Sequence, residues 1–223
     1  CEDQWNYRNK MEFSFGMKGE EVMLGMHLPK CRYDVFNLKE CYLCAPIATE
    51  IIERVRAWAN EQKLEVFDNH HQDGLLRNLV LREGKNTGEF MVNLITSENS
   101  FPCVDSFAGL FKGDERITSL IWTTVMQRRG TPTYHESKTL LGRDVIYERL
   151  GHLKFEISPD AFFQTNTYQA ETLYSEALKA ANLTGEETVF DLYCGTGTIG
   201  LFCAQDAAKI IGIEINKNAI QNA

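Results

Sequence analysis

The chain has 223 residues, 43% of them hydrophobic and 24% charged, enough for one large domain or two small ones. No apolar run approaches the roughly 18 residues of a membrane-spanning helix, which argues against a membrane protein, and the acidic start at Glu2 and Asp3 lacks the basic-then-apolar order of a signal peptide. Seven scattered cysteines cannot all pair, which suits a reducing compartment and points to the cytoplasm, while a net charge of -8 lends no compositional support to a nucleic-acid partner.

Positive charge is nevertheless gathered locally, at Arg8 with Lys10, at Arg77 through Arg82 to Lys85, and at Arg128-Arg129. Taken in order, residues 5–15 alternate as a strand does, and a second strand is expected over 20–28 after the turn at Lys18-Gly19. Ile47, Ile51, Val55 and Trp58 recur at helical spacing and predict a helix over 46–64. Strands over 74–83 and 88–96 flank the hairpin loop from Gly84 to Gly88. Residues 114–120 read as helical or irregular, and short strands follow over 119–127, 133–142, 144–150 and 153–159. This part is expected to be an α+β domain, residues 1–159, with an antiparallel sheet.

The pattern changes after Pro159. Thr165 or Asn166 is placed to cap a helix running to about Ala181, with Leu173, Ala177 and Ala181 on one face and Tyr174 and Leu178 beside them. A buried strand over 188–194, a glycine loop, an apolar helix over 199–207 and a second buried strand over 209–215 make a βαβ unit, hence a parallel sheet. The expected fold is therefore α/β. The α+β domain is followed, over 160–223, by the first part of a Rossmann-like parallel-sheet domain.

The chemistry concentrates in Asp191, Gly195, Gly197 and Gly200, with Glu214 ending the second strand. Glycines at a strand-to-helix turn let a ligand approach the backbone without meeting a Cβ, and the free N–H groups of the helix point at it. A carboxylate at the end of the second strand suits the two hydroxyls of a ribose. The glycines also fit a dinucleotide fingerprint, or a turn that only permits tight packing. Asp191 favours a different ligand: four residues before the first glycine, it repels a diphosphate and attracts the ammonium of S-adenosylmethionine.

Three segments, YRNKMEFSF from residue 7, ISPDAFFQTN from 157 and DLYCGTGTIG from 191, resemble the RNA uracil-C5 methyltransferases, which make 5-methyluridine in tRNA and rRNA. The resemblance implies an RNA partner and S-adenosylmethionine as donor. It places Gln164 against the donor, Tyr193 and Thr198 along the same site, Glu214 on the ribose, Phe162 near a uracil swung out of its stack, and Arg8 near RNA. One of Phe162 and Phe163 is expected to be core. In that family a cysteine thiolate adds to uracil C6, C5 takes the methyl group, and a base removes the C5 proton. The nucleophile lies in a Ser-Cys-Asn-Pro motif and the base is a later Glu. Neither motif occurs here, so both are expected beyond Ala223, the chain is read as incomplete at both ends, and these residues are expected to be inactive alone.

Cys194 is read as a small packed residue and not as the nucleophile. Cys41 matches the last ligand of the [4Fe–4S] cluster that some members hold, although two buried thiols at a helix start is the preferred reading of Cys41 and Cys44. Two other functions stay open: a methyltransferase acting on something other than RNA, and a non-catalytic RNA-binding module formed by the first 160 residues.

Overall fold

The computed structural model describes residues 4–31, 34–97, 101–126, 134–215 and Ile220. Arg128 and Arg129 lie outside the described residues. Strand β1 (Lys10–Lys18) turns at Gly19 into β2 (Glu21–His27), and β3 (Val35–Asn37) adds to its edge. Alternation buries Met11, Phe13 and Phe15 of β1 against one face of the sheet. Helix α1 (Ile47–Glu61) covers that face with a stripe of Ala48, Ile51, Ile52, Val55, Trp58 and Ala59. Strands β4 (Leu76–Glu83), β5 (Phe90–Ser97), β6 (Ser119–Met126) and β7 (Tyr134–Gly142) complete a seven-stranded sheet, ordered β3-β2-β1-β4-β5-β6-β7.

The sheet is not antiparallel throughout, as the sequence pattern suggested: β5 and β6 run parallel. Parallel neighbours need a crossover, and helix α2 (Val104–Phe111) supplies it. The helix therefore lies ahead of residues 114–120, where one was considered. Its sequence, VDSFAGLF, spans only eight residues, too few turns for a helical period to repeat visibly. Phe107 and Phe111 fill the core between α1 and the sheet, and Trp58 Nε1 donates to Ser106 Oγ at 3.0 Å.

Hairpin β8 (Ile146–Leu150) and β9 (Leu153–Ile157) leads to helix α3 (Thr167–Ala181). Asn166 caps this helix, its side chain accepting from the Gln169 N–H at 3.0 Å. The buried face of α3 is Thr167, Ala170 and Tyr174, whereas Leu173, Ala177 and Ala181 are exposed. Those residues share a face, as expected, but the helix is rotated so that the neighbouring face packs. Hairpin and helix join Met91 and Ile121 in a second core. These two alternate with Val92 and Leu120 of the first core, so they point from the opposite side of the sheet.

The last unit is β10 (Thr188–Leu192), α4 (Thr198–Cys203) with a 3-10 turn at Ala204–Asp206, and β11 (Lys209–Ile213) parallel to β10. The apolar helix is thus shorter than the sequence suggested.

Candidate functional site

The turn after β10 is built by backbone conformation. Tyr193, Gly195 and Gly197 all have positive φ, at 61°, 57° and 72°. For Tyr193 that is a costly state for a side-chain-bearing residue, and its ring is 90% exposed. Gly200 serves packing: a Cβ there would sit 2.9 Å from both Asp191 Oδ2 and Ile210 Cγ2. Gly212 does the same for Cys194, whose Sγ would lie 2.9 Å from an added Cβ.

Both acids are tied to this turn. The Gly200 N–H donates to Asp191 Oδ2 at 3.0 Å. Glu214 accepts from the Gly195 N–H at 3.0 Å and from its neighbour's N–H, that of Ile215, at 2.8 Å. Thr198 opens α4, and its hydroxyl meets the Tyr174 hydroxyl at 3.1 Å, linking the turn to α3. Asp191, Gly195, Gly197, Thr198 and Glu214 are therefore gathered in one place, with Tyr193 projecting from it.

Gln164, Phe162 and Arg8 form a second group. Phe163 is buried against Phe155, with ring centroids 5.6 Å apart, while Phe162 is 70% exposed. The loop before them is held by the buried Arg82, which donates to the Ala161 carbonyl. Arg8 bridges to Asn166, and the Asn9 side chain donates to the Gln164 carbonyl at 2.7 Å. Two motifs far apart in sequence thus lie side by side. The hydrogen-bonded link from this group to the glycine turn is α3, which starts after Asn166 and reaches Thr198 through Tyr174.

Two residues that sequence reasoning missed organise this second group. Asn9 is one. Glu148 is the other: it is 1% exposed and accepts from the N–H groups of Lys85 (2.8 Å), Asn86 (3.0 Å) and Arg149 (2.8 Å) and from the Thr167 hydroxyl (2.8 Å). A signal for it existed, since Glu148 falls on the buried phase of β8 between Ile146 and Leu150.

No cysteine near these groups is set up as a nucleophile, which would need a depressed pKa. Burial, with the carboxylates of Asp191 and Glu214, pushes the Cys194 thiol up. Burial also raises Cys203, and burial together with neighbouring Cys41 pushes Cys44 up to about 12. Among the described residues no group of three or more His, Cys, Asp or Glu is arranged to hold a metal ion.

A strand, a glycine turn, a helix and a parallel strand, with a carboxylate at each strand end, define a methyltransferase of Rossmann-like class. Known proteins agree. Residues 133–223 match the family model of tRNA (uracil-5-)-methyltransferase. An uncharacterized RNA methyltransferase of Clostridium tetani is 35% identical over 100% of this chain and 48% of its own length. One from Clostridium acetobutylicum is 34% identical over 100% and 48%. Among solved structures, the tRNA (uracil-54, C5)-methyltransferase of Pyrococcus abyssi, in complex with S-adenosyl-L-homocysteine, is similar with a TM-score of 0.77 and 28% identity. That match covers 99% of this chain and 52% of the other. The chain is thus similar to RNA methyltransferases along its full length and to the uracil-5-methyltransferase model over residues 133–223, and it spans about half the length of the curated relatives it matches.

Proposed function

We propose that the protein transfers a methyl group from S-adenosylmethionine to C5 of a uridine in tRNA, and that this chain supplies the RNA-facing α+β domain, residues 1–159, and the start of the donor-binding domain, residues 160–223. The observation that carries the donor is electrostatic. Asp191 and Glu214 both face the glycine turn, and the chain from 188 to 208 has no Lys or Arg. A diphosphate would meet two like charges there, whereas a cationic sulfonium nucleoside with an ammonium tail meets two opposite ones. The turn also has the shape: positive-φ glycines leave the backbone open at Gly195 and Gly197.

In this reading Glu214 holds the ribose hydroxyls and Asp191 the methionine ammonium. Tyr193 and Thr198 line the donor, and Gln164 reaches it from the second group. Phe162, exposed at the end of a pinned loop, receives the extruded uracil, and Arg8 lies along the RNA. tRNA is preferred over rRNA because the matched family model and the Pyrococcus abyssi enzyme both carry tRNA in their names. The attacking thiolate is not among these cysteines, so residues 1–223 alone transfer no methyl group.

Calorimetry on the intact protein tests the donor: S-adenosylhomocysteine should bind, and NAD should not. Tight NAD binding without any for S-adenosylhomocysteine overturns the proposal. Tritiated-methyl transfer to unmodified tRNA, with 5-methyluridine identified in the digest, tests the acceptor.

A further inference from the structure

Asn9 commits its side-chain nitrogen and both of its backbone polar groups. Its side-chain Nδ2 donates to the Gln164 carbonyl at 2.7 Å and to Thr167 Oγ1 at 2.9 Å. Its backbone N–H donates to the Thr165 carbonyl at 2.8 Å, and its own carbonyl accepts from the Glu83 N–H at 2.8 Å. The direction of the Thr167 hydroxyl is fixed as well, since its proton goes to buried Glu148. Its lone pair is therefore what Asn9 meets. Both neighbours of Nδ2 are acceptors, so only a donor fits at that position.

The Gln164 side chain makes no hydrogen bond among the described residues, so what the structure fixes is the backbone from which it starts. Holding the 164 carbonyl fixes the plane of the peptide that follows, and with it the place of the Gln164 Cα. We infer that Asn9, just ahead of β1, is the positioning residue for Gln164, fixing the backbone from which that side chain reaches the methyl donor. The inference rests on the reading of Gln164 as a donor contact given above. It also gives the two matched segments a shared purpose, since RNA seated along Arg8 and donor held by Gln164 are joined through adjacent residues.

A double-mutant cycle on the intact protein, read by calorimetric titration with S-adenosylhomocysteine, tests this. Asn9→Ala should weaken binding about tenfold, as expected for one buried hydrogen bond. In a Gln164→Ala background the same change should matter less than about twofold, because the two residues act as one unit. Asn9→Asp should be worse than Asn9→Ala, since a carboxylate would face the Gln164 carbonyl. Thr167→Val should lower the melting temperature with a clearly smaller loss of affinity than Asn9→Ala, because the Gln164 carbonyl keeps its own partner, which separates stability from positioning. Should Asn9→Ala not fold, Asn9→Ser, which keeps a hydroxyl donor, takes its place, with a smaller loss that again vanishes without Gln164. Equal losses in both backgrounds overturn the inference, as does a Thr167→Val loss matching that of Asn9→Ala. Undiminished binding by Asn9→Ala, where Gln164→Ala alone is impaired, does so too. If Gln164→Ala itself binds normally, it is the donor role of Gln164 that fails.

Discussion

The seven-stranded sheet and the β10–α4–β11 unit hold themselves together in opposite ways. The sheet unit buries whole aromatic and aliphatic side chains, with Phe13, Leu24, Ile52, Phe107 and Leu120 fully enclosed. The glycine unit leaves Phe190, Leu192 and Ile213 more than half exposed. What fixes its turn is polar and conformational: two acids bound to backbone N–H groups, and glycines at positive φ. One region is held by packed volume, and the turn of the other by backbone geometry. A substitution should therefore damage one without the other.

The largest expected effect is in the core of the sheet. Phe13→Ala should cost about 3–5 kcal/mol, seen as a lower urea midpoint, with unchanged S-adenosylhomocysteine affinity in the protein that remains folded. Glu148→Gln comes next, at about 2–3 kcal/mol, because a charged acceptor serving three backbone donors is replaced by an amide that offers fewer lone pairs. That loss should appear as a lower melting temperature. Gly200→Val reverses the pattern: about 1–3 kcal/mol of overpacking between α4 and β11 should abolish or strongly weaken S-adenosylhomocysteine binding. The urea transition of the sheet, followed by tryptophan fluorescence at Trp58 and Trp122, should stay in place.

The last effect is confined to alkaline pH. The Cys44 thiol, raised to about 12 in the fold against an ordinary value of 9.0, keeps its proton when the unfolded chain gives its own up. Below the ordinary value both states are protonated and the group contributes no pH dependence. As pH rises from there toward the folded value, the unfolded state gains and stability falls. Stability measured across that window should drop more steeply for the wild type than for Cys44→Ala. Equal slopes would remove the claim that this thiol is well packed.

The parts of the fold that were legible in the sequence are those with a local cause. Alternation gave β1, strand-like runs bounded by turn signals gave β2, β4 and β5, helical spacing gave α1, and of the two candidate caps, Thr165 and Asn166, it is Asn166 that starts α3. The glycine turn was legible because positive φ selects glycine directly, although Tyr193 adopts it as well. Helix α2 was not, since eight residues are too short for the period to repeat, and without it the parallel β5–β6 pair could not be foreseen. β3, three residues long, lies below what a pattern shows. Within the candidate site, a sequence shows Asn9 and Glu148 as polar residues but not their partners, which come from other elements. For Glu148 the phase of β8 was the available clue. The resemblance supplied residues such as Gln164 and Phe162, and only coordinates showed that the Asn9 amide, just ahead of β1, grips the segment between them and α3.

That grip spans 155 residues of sequence. During synthesis β1 can find β2 early, and the residues just ahead of it can be held by Tyr42, Leu43 and Glu83, but the Asn9 amide cannot find Gln164 until that residue has emerged. The Asn9 side chain therefore waits for its partners on the nascent chain, and long-range closures of this kind are slow because their entropy is lost before any contact compensates it. Emergence of the segment up to Thr167 is then also the event that locks this amide, so a chain halted short of Thr167 would leave the ribosome with it unpaired.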